Sequence, residues 1–363
     1  MPQTSCIEIT ISFSALLPIT PTLNELPKGF LVSPFVNENK AYFIQADLYW
    51  NEKTGWQYDN SQEKAIDFLA QIENFDIKRH YTTNSEDIRY TQTTVDFEAF
   101  ETTIQQAVAA MQRGDFQKVV LSRTKNIILP PEFDVIDTLL ALCEKYPSAF
   151  ISLIQSENFG TWIGATPEVL ISQDEQGIFK TMALAGTQRY HENLPLQHVQ
   201  WRQKEIEEQA LVSRYIINCF KKIRLREFDE DGPRTVQAGN LLHLRTDFTV
   251  DTKAVRFPQL AEVMLELLHP TSAVCGLPKA PALDFILQHE PHQRELFSGW
   301  LGTVNGQFGT HIFVNLRCAK LYAKTATLFA GMGILKESDA WQEWQEAEAK
   351  FDTLLAVLAN ETK

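Results

Sequence analysis

Residues 339–358 read DAWQEWQEAEAKFDTLLAVL, a helix in which Glu343, Glu346 and Lys350 stand three and four residues apart. At 100° per residue these three fall within about 60° of one another. Trp344, Ala347, Phe351, Leu354, Leu355 and Leu358 form the adjoining apolar stripe. The charged trio therefore sits at the edge of the buried face rather than opposite it. Two carboxylates and an ammonium held there could bind a divalent cation and an anionic ligand together. The competing reading is an ordinary amphipathic helix with a solvated Glu346–Lys350 i,i+4 pair.

Upstream of this helix, residues 297–335 read as a β-meander with Asn305-Gly306 as a hairpin turn. Helices are expected near 258–268 and 280–289, a long one over 201–223, and a β segment from about 234 to 249. Between 150 and 184 short apolar runs broken by Gly, Pro and Asp predict strands at 150–154, 162–164, 169–172 and 178–184. A helix near 137–145 precedes them. Further back, 117–129 (with KVVLSRTKNIIL) reads as a strand, and 97–111 as a helix closed by Arg113-Gly114-Asp115. Residues 1–92 are irregularly patterned and read as the N-terminal part of the same fold, ahead of a catalytic region over 93–363. The whole reads as one α+β unit with mainly antiparallel strands.

Composition narrows the function. The chain has 363 residues, 44% of them hydrophobic, enough for a large core. Its formal charge of −13 argues against unassisted binding to nucleic acid or an anionic membrane. An anionic small substrate stays open, because a pocket can be positive inside an acidic protein. Five scattered cysteines without CxxC spacing fit reduced thiols in a cytoplasmic protein. The start, MPQTSCIEITISF, lacks the pattern of a signal peptide, and no 18-residue apolar stretch is present.

Several residues resist a purely structural reading. Glu208 shares a helical face with Trp201, Val212, Tyr215 and Cys219. A carboxylate amid apolar neighbours is costly unless paired or bound to metal, so a buried ion pair and a metal site are both open. With the 343–350 helix supplying further oxygens, the hard cation Mg²⁺ is the fitting metal. Lys118 lies just inside a strand, on the side of Phe116 and Val120. It is either a half-buried general base or an edge lysine that blocks aggregation. Glu168 follows Gly164-Ala165-Thr166-Pro167 and is a candidate acid or an exposed turn carboxylate. Gly186-Thr187 and the glycines around Gly331 end strands with small residues, where backbone N–H groups can approach an anion. Arg317, in the apolar strand FVNLRCAKL, needs an anionic partner from the substrate or the protein. His243 in NLLHLRT reads more readily as a satisfied core histidine than as a catalyst.

Taken in order, these pieces resemble the chorismate-utilising enzymes: isochorismate, salicylate, anthranilate and aminodeoxychorismate synthases. The matching stretches are KVVLSR from Lys118, GATPEVL from Gly164, ALAGT from Ala183, KEIEEQ from Lys204 and NLLHL from Asn240. They continue with HPTSAVCGLP from His269, VNLRCA from Val314, LFAGMGIL from Leu328 and EWQEAEAKF from Glu343. Each stretch alone is unspecific; their succession covers residues 97 to the C-terminus in family order.

The resemblance implies a large antiparallel β-sandwich with helices packed outside. It implies Glu208 and Glu346 as direct Mg²⁺ ligands, with Glu343 acting through water. Arg317, Lys350 and the backbone around Gly331 would hold the substrate carboxylates, with Gly186, Thr187 and His243 in the same substrate-binding set. Lys118 would activate water for attack at ring C2, and Glu168 would protonate the departing C4 hydroxyl. Where aminodeoxychorismate synthases carry a nucleophilic lysine, this chain has Ala185; where anthranilate synthases lack a lysine base, it has Lys118. The pairing implies isochorismate synthase, an isomerase of menaquinone or siderophore biosynthesis with no glutamine amidotransferase subunit. Salicylate synthase is the alternative within the family, and a non-catalytic chorismate-binding protein the alternative outside it. Gln209, Glu205 and Tyr190 depart from the family pattern, where His, Asp and Gly are usual.

Overall fold

The computed structural model describes residues 8–14, 16, 18–20, 22–36, 40–51, 53–58, 96–190 and 195–359. Most of the latter part of the expected 1–92 segment lies outside them. The described strands form three antiparallel sheets. The largest has nine strands in the order Asp229–Ala238, Leu241–Asp251, Ile178–Arg189, Val169–Gln173, Gly309–Val314, Trp300–Gly306, Gly29–Ser33, Ala41–Gln45 and Pro18–Ile19. The second has six, in the order Gly276–Leu277, Lys118–Ile128, Thr325–Ile334, Cys318–Leu321, Gly160–Thr166 and Phe150–Ser156. Glu8–Ile11, Leu48–Asn51 and Gly55–Tyr58 make a small third sheet. One core cluster draws Val119, Ile163 and Met332 from the six-stranded sheet and Ile171, Phe179 and Ile312 from the nine-stranded one. The α+β sandwich with outside helices is therefore the observed architecture.

Two chain crossings between the large sheets position the site. The first runs from Gly160–Thr166 in one sheet to Val169–Gln173 in the other, through Pro167 and Glu168. The second returns from Gly309–Val314 to Cys318–Leu321 through Asn315–Arg317. The crossings lie side by side and are sewn together: Val314 N–H donates to Glu168 O at 3.0 Å, and Ala165 N–H to Arg317 O at 3.0 Å. The Thr166 hydroxyl donates to Val314 O at 2.6 Å. Arg317 takes φ of 48°, a left-handed conformation that costs a non-glycine residue and is held by this bracing. Thus GATPEVL and VNLRCA, 148 residues apart at Thr166 and Val314, are one structural unit.

Strand Lys118–Ile128 explains its own burial pattern. Its first seven residues are buried on both faces, between sheet neighbours, core and helices, and alternation toward solvent begins at Lys125. The edge-lysine reading is corrected here, and so is the expected half-burial. Lys118 is fully buried, and its strand pairs with Gly276–Leu277 on one side and Thr325–Ile334 on the other. The expected 234–249 segment proves to be a hairpin of two strands, Asp229–Ala238 and Leu241–Asp251, turning at Gly239 with φ of 62°. The expected 297–335 meander is divided between the two sheets. Its hairpin turns at Gln307-Phe308 between the paired Gly306 and Gly309, not at Asn305-Gly306. Asn305, at φ of 51°, instead occupies a register shift before the turn.

Local residues cap several of the described helices. Asp96 accepts from Ala99 N–H at 2.8 Å to open Phe97–Arg113, and Gly114 closes it at φ of 89°. Asp339 opens Ala340–Leu358 by accepting from Gln342 N–H at 3.0 Å. This last helix buries Ala347, Phe351, Leu354 and Leu358 against Thr325–Ile334 and Phe97–Arg113. Glu348 pins it to the neighbouring strand through Arg123 at 3.1 Å and Lys125 at 2.6 Å. Among the described residues no helix is long and apolar enough to cross a membrane.

Candidate active site

A cleft of about 650 Å³, partly open to solvent, lies where the two large sheets meet. Glu168, Gly186, Thr187, Glu208, His243, Arg317, Gly331, Glu346 and Lys350 line it, together with Ala185. Of the residues singled out from sequence, Lys118 and Glu343 do not form its wall. Each is paired with a charged neighbour. Lys118 Nζ lies 2.9 Å from Glu208 Oε1 without a well-aligned hydrogen bond. Glu343, 1% exposed, pairs closely with Lys204.

The backbone makes room for these side chains. The register shift between Ala185 and Gln188 lifts Gly186 and Thr187 out of the ladder as a bulge. Gly186 has φ of 69°, and a Cβ there would come within 3.1 Å of Glu205 Cβ. Gly333 is needed for a different reason. A Cβ at that position would lie 2.0 Å from Glu208 Oε1 and 3.2 Å from Lys118 Cε. The missing side chain is the space in which Glu208 and Lys118 meet.

Arg317 is a buried cation with no ion-pair partner among the described residues. It is 7% exposed, and no described carboxylate lies within ion-pair distance. Its guanidinium donates to Thr353 Oγ1 at 3.4 Å and to His243 Nε2 at 3.2 Å. His243 Nδ1–H donates to Gly186 O at 2.8 Å, which fixes the tautomer because a carbonyl only accepts and a guanidinium only donates. Burial, aided by Arg317, pushes the His243 pKa down to about 3, so the ring is neutral. The expected core histidine is thus a cleft residue that aims Arg317. Burial pushes Arg317 itself down to about 10, which still leaves it charged at neutral pH.

The carboxyls divide by environment. Burial raises the Glu168 pKa to about 7, although Lys118, Arg317 and Lys350 oppose the shift. It can therefore hold a proton near neutrality. Burial also works against the Glu208 carboxylate, but Lys118 and Lys204 hold it down at about 2. Lys350 Nζ donates to Glu346 Oε1 at 2.6 Å and to Gly331 O at 2.5 Å, bringing the 346–350 pair into the cleft. Glu343 is raised to about 7 by burial and by Glu346.

A divalent cation would find oxygen donors of the right kind here. Glu208 and Glu346 line the cleft, and Glu343 Oε2 is buried without a well-formed hydrogen bond. Among the described residues, however, no three His, Cys, Asp or Glu side chains converge as a finished cation cage. The carboxylates are instead each paired with a lysine: Glu208 with Lys118, Glu343 with Lys204, and Glu346 with Lys350. The donor chemistry fits Mg²⁺.

A family model described as chorismate binding enzyme matches residues 26–359, nearly the whole chain. The chain belongs to that family. It is 29% identical over 263 residues to isochorismate synthase EntC of Escherichia coli K12, covering 71% of this chain and 66% of that protein, just under two thirds of its length. Its fold resembles the solved structure of MenF, the menaquinone-specific isochorismate synthase from Escherichia coli. The TM-score is 0.74 at 23% identity, over 96% of this chain and 84% of that one. It also resembles anthranilate synthase component I from Streptococcus pneumoniae TIGR4, with a TM-score of 0.69 at 18% identity over 91% and 81% of the two chains. One fold therefore accommodates both kinds of synthase, and the reaction has to be argued from the site.

Reading the sequence alone missed Lys204 and the walls Ala273, Val274, Phe297, Ser298 and Phe329. Lys204 opens the quoted KEIEEQ stretch but looks like any solvated helix lysine. Ala273 and Val274 lie within HPTSAVCGLP, while nothing local marks Phe297 and Ser298.

Proposed function

We propose that this protein is an isochorismate synthase that adds water at C2 of chorismate and expels the C4 hydroxyl, with Mg²⁺ bound at the site. The observation that carries this reading is a buried guanidinium without a carboxylate partner among the described residues, Arg317, in one cleft with a carboxyl of pKa about 7, Glu168. The first suits a substrate carboxylate; the second suits protonation of a leaving hydroxyl. Glu208 and Glu346, supported by Glu343, would hold the metal, which supplies charge neutralisation for the substrate's ring carboxylate.

Lys118, as the base, takes a proton from water whose oxygen forms the bond to C2. The ring double bonds shift, the C4–O bond breaks, and Glu168 gives its proton to the departing oxygen. Turning Glu208 toward a cation would free Lys118 from its present ion pair. Ala185 in the cleft wall offers no amine to compete with water. The relatives' names, isochorismate synthase EntC and MenF, support the same product, and a cytoplasmic location accords with it.

The test is incubation with chorismate and Mg²⁺, with and without ammonium, followed by chromatography of the products. Isochorismate is expected, unchanged by ammonium, with oxygen from labelled water at C2. Anthranilate or an aminodeoxy product would overturn the reading. Salicylate with stoichiometric pyruvate would make the protein a salicylate synthase.

A further inference from the structure

Lys204 has no part in the chemistry above, yet it occupies a costly place for a lysine. It lies in the first turn of the helix Gln203–Lys222, where the helix dipole disfavours a cation. Its side chain is only 16% exposed and pairs with Glu343, which is itself in the first turn of Ala340–Leu358. Arg202 ties the same two helix starts together, donating to Gln342 Oε1 at 2.9 Å. Burial works against the Lys204 ammonium, but Glu343, Glu346 and Glu208 outweigh it and hold its pKa above the usual lysine value. The ammonium thus lies in the field of the same three carboxylates that would serve a divalent cation.

Of the three lysines paired to those carboxylates, Lys118 and Lys350 have work at the substrate. Lys204 has none, and its counter-ion Glu343 keeps one oxygen without a well-formed hydrogen bond. An ammonium and a divalent cation repel across one buried carboxylate cluster, so each weakens the other's hold on it.

Resting on the magnesium assignment above, we propose that Lys204 is a tethered cation. It neutralises the carboxylate cluster while the site is metal-free, and a divalent ion displaces it on binding. The competition makes metal binding weaker than the carboxylates alone would allow and keeps the empty site from repelling itself apart.

The experiment is a Mg²⁺ titration without substrate, read by calorimetry and by unfolding temperature, on the wild-type protein, Lys204→Met and Lys204→Arg. Lys204→Met should bind Mg²⁺ on the order of tenfold more tightly, the scale on which neighbours tune metal affinity. Its metal-free unfolding temperature should fall, with the loss recovered at saturating Mg²⁺; Lys204→Arg should stay near wild type. Should Lys204→Met not fold, the wild-type protein still gives an answer. Amine labelling read by mass spectrometry should show Lys204 becoming more reactive when Mg²⁺ is added. Equal or weaker Mg²⁺ binding by Lys204→Met, or labelling of Lys204 that ignores Mg²⁺, would overturn the proposal while leaving the metal assignment standing. No Mg²⁺ response in any variant would remove the metal assignment itself, and the tethered cation with it.

Discussion

Glu168 allows a quantitative test of the acid role, with pH and the substitution Glu168→Gln as the perturbations. Its pKa stands at about 7 against an ordinary 4.5, with burial as the largest cause. At pH 7 roughly half of the molecules then carry the proton, against roughly 0.3% for an ordinary carboxyl, a gain of about 150-fold in acid form. The difference corresponds to about 3 kcal/mol, supplied by desolvation in excess of the pull from three nearby cations. The acid form dominates below pH 7 and is lost above it. Consequently the ratio of wild-type to Glu168→Gln kcat/KM, in which the base common to both cancels, should fall about tenfold per pH unit above 7. Glu168→Gln keeps the shape but has no proton to give; it should cost at least ~10²-fold in rate, with chorismate affinity largely intact and the alkaline limb removed. The assay is initial-rate chromatography of isochorismate across pH 6–9 at fixed ionic strength. A wild-type to glutamine-variant ratio that stays flat to pH 9, or wild-type turnover in the glutamine variant, would refute the reasoning.

Other substitutions probe the neighbouring groups. Gly333→Ala places a methyl 2.0 Å from Glu208 Oε1 and must displace that carboxylate by about 1 Å, more than metal geometry tolerates. Mg²⁺ affinity should drop about 10- to 100-fold by calorimetry, and an unchanged affinity would show that Glu208 is not a ligand. Lys118→Ala should lower the rate at least ~10²-fold with substrate binding retained, and wild-type-like turnover would end its assignment as base. Acid unfolding should reveal the buried neutral histidines His243 and His269, both with pKa lowered to about 3, chiefly by burial. A depressed histidine contributes stability that is full above its unfolded value of 6.5 and lost as pH falls toward 3. At pH 5 each should have cost about 2 kcal/mol, seen as a shift of the denaturant midpoint that His269→Gln reduces.

The sequence was most informative where the determining contacts are local. Glu346 and Lys350 meet because helical period puts them on one face, and their pairing follows from spacing alone. Asp96, Gly114 and Asp339 mark helix ends for equally local reasons. Lys118 shows where such reading stops. A lysine at the start of an apolar strand looks like an edge residue until both neighbouring strands are in place. Those neighbours come from residues 276–277 and 325–334. The N-terminal strands of the nine-stranded sheet were similarly illegible, because Gly29–Ser33 finds its partner at 300–304. Glu168 and Arg317 were nameable through resemblance. Their placement at paired crossings between sheets was not, since each needs the other's backbone to be held.

The departures from the family pattern now have physical roles that leave the chemistry alone. Gln209 points away from the cleft: its Nε2 donates to Ala183 O at 3.2 Å and to Thr246 Oγ1 at 3.0 Å. It braces the helix carrying Glu208 against the strand Ile178–Arg189, which carries the Gly186-Thr187 bulge. Glu205 accepts from the Arg202 N–H at 3.0 Å and closes the first turn of that helix. Tyr190 enters through its backbone, donating to Asn240 O at 3.0 Å beside the hairpin turn. All three act on how the helix Gln203–Lys222 and its neighbouring strands are seated, while Glu208, Glu346, Arg317, Lys350 and Glu168 line the cleft. A change that reseats the helix by a fraction of an ångström moves Lys204 and Glu208 together, because they are i and i+4 on one face. Substitutions at position 209 should therefore alter metal affinity before they alter the pH profile set by Glu168, which is carried by a different crossing of the chain.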